Sequence, residues 1–559
     1  MFDQDRVHSF IHSFLKEFLP IVSLIAIVML LQVPWSPAQK PLGVDSGFFA
    51  YVGRELLDGE RLYVDIFDTK TPGIYYINSL ALLLFGDTLW SIWMFQCIWV
   101  SITSSILFFV VRKWVHPFSA WVGTLFFLLT LHYPDYYVSG NLTEFYALLP
   151  QVLGLVAVGG FARTKNPGWL IMLGATTGMS MFFKLTYFGV GLAGALAVGF
   201  DTMVSNKGRH LAKFAFLVFV GLFIPVLFML FFAAFQGYLQ ELWFSAFTFN
   251  LLYSQHGFSL RNLYGTLRKL VIVPPFSYLS ALAVGGAGGF LALQVSTGYH
   301  EFAHTKSARN KINKEEDGRK SDLFWGCIFI GLLIEWILVF ISGRFHGHYF
   351  ITPLPMMAAG CAYLLDKIPD LIKGFQKGDT GSGAALLIVL VMCVAWWLEV
   401  VAKTLPTFEQ LREIRAQYNQ REIIYNPVVE YITQHTSLEE SIFIWDDHPE
   451  YYFLSDRVSP TRFLYATQLL LPGNHVDEWY DELIRDLEED PPVLIMTQSD
   501  SGARVPYLGG SEGVLCWMCA PGIEANVNRV NDFLFSNYYV ADEIGRWVIY
   551  RLCGVQDPL

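Results

Sequence analysis

A succession of long apolar runs constrains this chain more than any other feature. They fall at about 18–33, 89–111, 118–133, 143–162, 168–183, 186–203, 211–234, 270–296, 323–342, 349–366 and 383–402. A helix needs roughly 20 apolar residues to cross the hydrocarbon core of a bilayer, and within lipid only helices and closed barrels satisfy their own backbone groups. About eleven such runs predict a polytopic α-helical membrane protein. The pair at 168–183 and 186–203 is short, and reads either as two spans meeting at Lys184 or as one long broken span, two being preferred. The first run is followed by Pro34, Trp35 and Pro37, which favours an uncleaved span over the shorter apolar region of a signal peptide.

Charge supports the same class. Only 16% of the 559 residues are charged, against about a quarter in soluble domains. The net charge of −11 argues against a nucleic-acid partner, which requires a basic face. Residues 405–559 differ from the rest and are soluble in composition. Helical patterns at Pro427–His435, Val476–Glu489 and Asn526–Ser536 alternate there with strand-like Ser441–Trp445, Pro492–Met496 and Trp547–Leu552. That alternation predicts a small α/β domain. The expected organisation is a membrane domain over 1–404, with a first outer loop at 34–88, and a soluble domain over 405–559.

Cys97, Cys327, Cys361 and Cys393 lie in apolar runs, where a cysteine is a small core residue. Cys516 and Cys519 form a CxxC without the two further ligands that a zinc site needs. A disulfide or unused thiols is the simpler reading.

Short loops rich in Lys and Arg face the cytoplasm. Arg112 with Lys113, Arg163 with Lys165, Lys207 with Arg209, six bases of loop 297–322 (Lys306, Arg309, Lys311, Lys314, Arg319 and Lys320), and Lys367, Lys373 and Lys377 all fall on one side. The N-terminus is then cytoplasmic, and an odd number of spans places the C-terminal domain outside. Loops 34–88, 134–142, 235–269 and 343–348 also lie outside, in the inner or plasma membrane of a cell. Their aromatic, amphipathic character suits an interfacial roof over a lipid-accessible cavity, although an ordinary aromatic belt has the same composition.

The chemistry gathers in the first loop. Residues 43–78 hold Asp45, Glu55, Asp58, Glu60, Asp65 and Asp68 beside Arg54, Arg61 and Lys70. Asp45 stands where the chain leaves the first span; it can act as a general base or cap the helix expected over Phe48–Leu57. Lys70 offers a fixed cation suited to a phosphate, or an ordinary interfacial lysine. Lys184 is ionisable amid apolar spans, a costly placement that is usually functional. Arg344, His346, His348 and Tyr349 open another outer loop, where Arg and His can hold a phosphate. The His pair could bind a divalent metal with carboxylates from other loops. Asp68, Asp135, Glu144, His346, His348 and Tyr349 are secondary candidates for the substrate site, and Glu335 is mid-span.

The stretch DSGFFAYVGRELLDGERLYVDIFDTKTPGIYYINSLALLLFG resembles the first-loop signature of GT-C membrane glycosyltransferases, in particular the protein O-mannosyltransferase and aminoarabinose-transferase superfamily. The specific resemblance covers 43–86, with weaker echoes at 140–148, 174–187 and 344–355. It implies many spans, an extracytoplasmic active site under the first loop, and a soluble C-terminal domain outside. It also implies that Asp45 is the catalytic base and that Lys70 holds a lipid-linked phosphate. The motif departs from both subfamilies: Thr71 separates Lys70 from Pro72, Phe48 and Phe49 stand where a basic residue and an aromatic are common, and Asp45-Ser46 replaces an Asp-Glu pair. A looser bacterial family-39-like or family-83-like branch fits better.

The function expected is inverting transfer of a sugar from a polyprenyl-phosphate donor to an extracytoplasmic glycan, lipid or protein acceptor. Asp45 is the base, Lys70, Lys184 and Arg344 are the phosphate cations, and no cofactor is required. A transporter or flippase of a lipid-linked sugar is the alternative, and predicts internal repeats and broken mid-membrane helices that the sequence does not display. A non-catalytic sensor leaves the acidic and aromatic density of 43–78 without a purpose.

Overall fold

A computed structural model describes residues 4–205, 208–251, 308–340, 346–376, 396–405, 426–471, 476–499, 505–509 and 522–555, and 264, 265, 268, 394 and 519 singly. Arg344, Cys516 and the span expected at 270–296 lie outside the described residues, as does most of the run at 383–402. By internal contacts the chain divides into two compact units. One comprises Met1–Pro34, Met94–Leu230 and Gly257–Arg412, the other Trp35–Trp93, Phe231–His256 and Glu413–Leu559. Residues 35–93, which include most of the expected first outer loop, therefore group with the C-terminal residues rather than with the spans.

The first unit is helical. Its described helices include Pro117–Leu131, Thr143–Thr164, Gly168–Met181, Gly189–Val204, Ala308–Phe340 and Leu354–Gln376, with Leu89–Val111 entering it and Leu211–Phe235 leaving it. Among the described residues, five segments are long and apolar enough to cross a membrane: Glu17–Trp35, Leu89–Val111, Thr143–Thr164, Gly208–Phe235 and Lys320–Phe340. The chain is a multi-pass membrane protein. On either side of Lys184 the structure has two separate helices, not one broken helix. The charged stretch expected as loop over 297–322 is helical from Ala308 onward, continuous with the apolar segment behind it. Its sequence ARNKINKEEDGRK is rich in good helix formers, so the run of charge there does not break the helix. Helices approach closely where glycine allows it: a Cβ on Gly174 would lie 1.9 Å from the Val218 carbonyl oxygen, the small-residue contact by which helices pack in lipid.

The second unit is built around a four-stranded sheet of β1 (Ile442–Trp445), β2 (Leu494–Gln498), β3 (Tyr538–Ile544) and β4 (Trp547–Leu552), ordered β1-β2-β4-β3. β1 and β2 are parallel, while β4 runs antiparallel to both β2 and β3. The helix Val476–Glu489 buries Val476, Trp479, Tyr480, Leu483 and Leu487, a single apolar stripe at helical spacing. The resulting core admits two residues from distant parts of the chain, Phe67 and Phe249. Phe67 meets the Trp479 ring at 4.7 Å between centroids, and Phe249 stacks on the same ring at 5.9 Å.

First-loop residues form two helices in this unit, Val44–Asp58 and Gly73–Phe85. The first ends at Gly59, whose φ of 106° places it in the left-handed region that glycine tolerates and whose N–H bonds to the Glu55 carbonyl. Its start lies against the helix Glu450–Ser455, and a Cβ on Gly47 would stand 2.4 Å from Glu450 Cβ. Only a residue without a side chain permits that approach.

Candidate active site

Asp45 occupies the first turn of the helix Val44–Asp58, where the N-cap is Gly43 and no side chain caps the helix. The capping role open to Asp45 in the sequence is therefore not taken, although its charge still complements the positive end of the helix. Its half-buried carboxylate instead accepts a hydrogen bond from the Tyr465 hydroxyl, Oη to Oδ1 3.1 Å. Burial raises the pKa of that phenol well above its usual value, and Asp45 and Asp68 nearby raise it further. Tyr465 consequently keeps its proton and is a permanent donor. Its ring lies edge-on to Phe48 at 4.8 Å, which fixes its plane.

Asp68 is buried, at 2% exposure. Its carboxylate receives the Tyr75 hydroxyl on Oδ2 and the Gln468 amide, Nε2 to Oδ1 3.2 Å. Lys70 Nζ is 3.5 Å from Asp68 Oδ2 and lies over the rings of Phe49, at 5.1 Å, and Tyr465, at 5.9 Å. The Tyr63 hydroxyl donates to the Lys70 carbonyl, 2.6 Å away. Tyr63 itself has φ 67° in the turn that precedes Asp68, an uncommon conformation for an aromatic residue that the surrounding packing must impose. Asp45, Asp68 and Lys70, chosen from the sequence, thus gather round Tyr465.

The edge of this group comes from the segment after β1. Asp447 accepts from the Thr467 backbone N–H, at 3.1 Å, and from its hydroxyl, which anchors the short helix Ala466–Leu470. His448 Nδ1 lies 2.9 Å from Glu450 Oε1. Burial alone would lower the His448 pKa, but the bond to Glu450 and the charges of Glu450, Asp446 and Asp447 outweigh it, so the pKa is raised. Sequence reasoning missed Tyr465, Gln468, Glu450 and His448. Their one signal was position: β1 is parallel to β2, and ligand groups in such sheets collect beyond the carboxyl ends of parallel strands.

A second set of expected residues lies in the first unit. Glu144, 2% exposed in the first turn of Thr143–Thr164, accepts from Lys184 Nζ at 3.4 Å and from the Thr143 hydroxyl at 2.9 Å. The Lys184 ammonium is 3.9 Å from the centroid of the Tyr349 ring. His348 is within electrostatic reach of Glu144, and His346 stacks on His348 at 5.4 Å. Asp135 is exposed, and its backbone carbonyl packs against Gly347. Glu335 is fully buried and bonds to Gln151 Nε2 at 3.3 Å. Among the described residues, no group of three or more His, Cys, Asp or Glu side chains is placed to hold a metal ion.

Residues 69–231 match the sequence model of the dolichyl-phosphate-mannose-protein mannosyltransferase family. No curated protein matches the chain. Among solved structures it is similar to ArnT from Cupriavidus metallidurans in the apo state, with a TM-score of 0.52 and 13% identity over 95% of this chain and 97% of that one. The same ArnT bound to undecaprenyl phosphate matches with a TM-score of 0.51 and 14% identity, over 96% and 99%. The chain has the GT-C membrane glycosyltransferase fold, and the resemblance read from the first loop is borne out at that level.

Proposed function

We propose that the chain is a polyprenyl-phosphate-sugar-dependent glycosyltransferase, working on the extracytoplasmic side of the membrane with Asp45 as its base. The observation that carries this reading is the half-buried Asp45 carboxylate, held by a protonated phenol in the group that also contains Asp68 and Lys70. The mannosyltransferase match over 69–231 supports transfer chemistry, and the ArnT complex with undecaprenyl phosphate supports a polyprenyl-phosphate donor in a bilayer.

In the reaction, an acceptor hydroxyl on an extracytoplasmic glycan, lipid or protein gives its proton to the Asp45 carboxylate. The freed oxygen bonds to the anomeric carbon from the face opposite the phosphate. The carbon–oxygen bond to the polyprenyl phosphate breaks, inverting the centre, and the phosphate leaves as a monoester anion. Lys70 offsets the charge that develops on it, a fixed cation aimed where charge appears. Lys184 and Arg344 are further candidates for that task.

The test is turnover of polyprenyl-phosphate sugars by the purified protein in nanodiscs, followed by mass spectrometry. Asp45→Asn should lower the rate about 10²–10⁴-fold, the usual contribution of a positioned base. Near-full turnover by the variant would remove Asp45 from the role. Turnover that survives exhaustive chelation is also expected, because side-chain cations hold the leaving phosphate.

A further inference from the structure

Two donors in the C-terminal region each reach one first-loop carboxylate. Tyr465 donates to Asp45 at 3.1 Å across 420 positions, and Gln468 donates to Asp68 at 3.2 Å across 400. They stand three residues apart, at the start of the helix Ala466–Leu470 and one turn into it, a spacing that puts both on one face. That helix is pinned by Asp447 through the Thr467 N–H and hydroxyl. The Ala466 N–H also bonds to the Asp446 carbonyl, 3.3 Å away. The Gln468 amide orientation follows from its partner, since a flipped amide would set oxygen against carboxylate.

We propose that the soluble C-terminal region is part of the catalytic apparatus, with Tyr465 as the positioning residue of Asp45 and Gln468 that of Asp68. This rests on the reading of Asp45 as the base, and deepens it. The Tyr465 hydroxyl, bonded to Oδ1, restrains the orientation of the carboxylate that takes the acceptor's proton. A hydrogen bond to the charged form also stabilises it, keeping the base ionised at lower pH. Among the described residues, the other charged and titratable groups that interact with Tyr465 include Asp68, Lys70, Glu450 and Tyr75, with His448 bonded to Glu450. None of them is removed by Tyr465→Phe, and the ring packed on Phe48 is kept.

The decisive experiment reads Asp45 directly and needs no sugar donor. The full-length protein in nanodiscs is treated with a water-soluble carbodiimide and glycine ethyl ester over a range of pH. Amidation of Asp45 is followed by peptide mass spectrometry and normalised to the exposed Glu543. In Tyr465→Phe the labelling midpoint of Asp45 should move up by about one pH unit, and Gln468→Leu should leave it in place. In the turnover assay, kcat of Tyr465→Phe should fall about 10–100-fold, the usual loss of a hydrogen bond to a charged group. KM should change less, and the acid limb of the pH–rate profile should shift in the same direction as the labelling midpoint. An unmoved midpoint with wild-type kcat overturns the proposal even if Asp45→Asn is inactive. Full turnover by Asp45→Asn would instead overturn the assignment of the base, while the labelling shift would still report whether Tyr465 holds that carboxylate.

Discussion

Glu55 is 8% exposed beside Arg54, whose Nε reaches its Oε1 at 3.3 Å while Nη1 reaches Asp456 at 2.5 Å. Burial raises the Glu55 pKa from 4.5 to about 7; Arg54 opposes this by charge and hydrogen bond, and Asp58 and Glu60 add to it. The folded carboxyl thus holds its proton where the unfolded chain has released it. Stability contributed by this group is complete below about pH 4.5 and is lost as pH rises to 7. Glu55→Gln keeps an acceptor for Arg54 without the charge. Its advantage in thermal unfolding over the wild type should grow from pH 5 to pH 8 by about 1–3 kcal/mol, and an advantage independent of pH would refute the mechanism. Lys70→Met should lower kcat/KM for a polyprenyl-phosphate sugar about 10–100-fold, the worth of a charge-assisted contact to phosphate; an unchanged value would show that the phosphate lies elsewhere. Asp45, Asp68 and Lys70 were legible because charge concentrated between two apolar runs stands out. Tyr465 and Gln468 were not, since nothing local distinguishes them from other tail residues and only the folded chain brings them across some four hundred positions.

Elements report the same coupling between distant parts of the chain. Phe67 is 1% exposed in a core otherwise made chiefly by C-terminal residues, and its N–H bonds to the Arg462 carbonyl at 3.0 Å. The Arg462 side chain forms a forked pair with Glu482, at 2.7 and 2.9 Å, and reaches the Tyr63 carbonyl at 3.3 Å. Phe67→Ala should cost about 3–5 kcal/mol, typical of a buried aromatic truncation, seen as a lower unfolding temperature of full-length protein in micelles. Residues 413–559 made alone lack Phe67 and Phe249, and should bind a hydrophobic dye that the intact chain excludes. A well-packed, dye-free fragment would show that the loop residues are dispensable to that core. The helices Pro427–His435 and Val476–Glu489 and the strand Trp547–Leu552 fall where periodicity placed them, because each buries a continuous apolar stripe or run. Strand β3 escaped notice for the opposite reason: it is an edge strand, exposed at Tyr539, Val540, Asp542 and Glu543, and its sequence YYVADEI carries no strand alternation. The grouping of 35–93 with 413–559 had no sequence signal, since composition separates lipid-facing from water-facing residues but does not pair the water-facing parts.

At the scale of the whole molecule, the sidedness set by basic loops has a direct consequence for chemistry. If the first loop and the C-terminal region share the extracytoplasmic side, as positive-inside counting expects, then Asp45, Tyr465 and Gln468 can act together only there. Cys553 is exposed and free near the end of the C-terminal region, whereas Cys97 and Cys327 are buried. A membrane-impermeant maleimide added to intact cells should therefore label the protein, and Cys553→Ser should remove most of that label. Protease added to the same cells should spare the basic segment 306–320 until the membrane is breached. Labelling of Cys553 only after permeabilisation would invert the topology. The acceptor would then have to be cytoplasmic, and the C-terminal donors to Asp45 and Asp68 would serve a reaction on the opposite face.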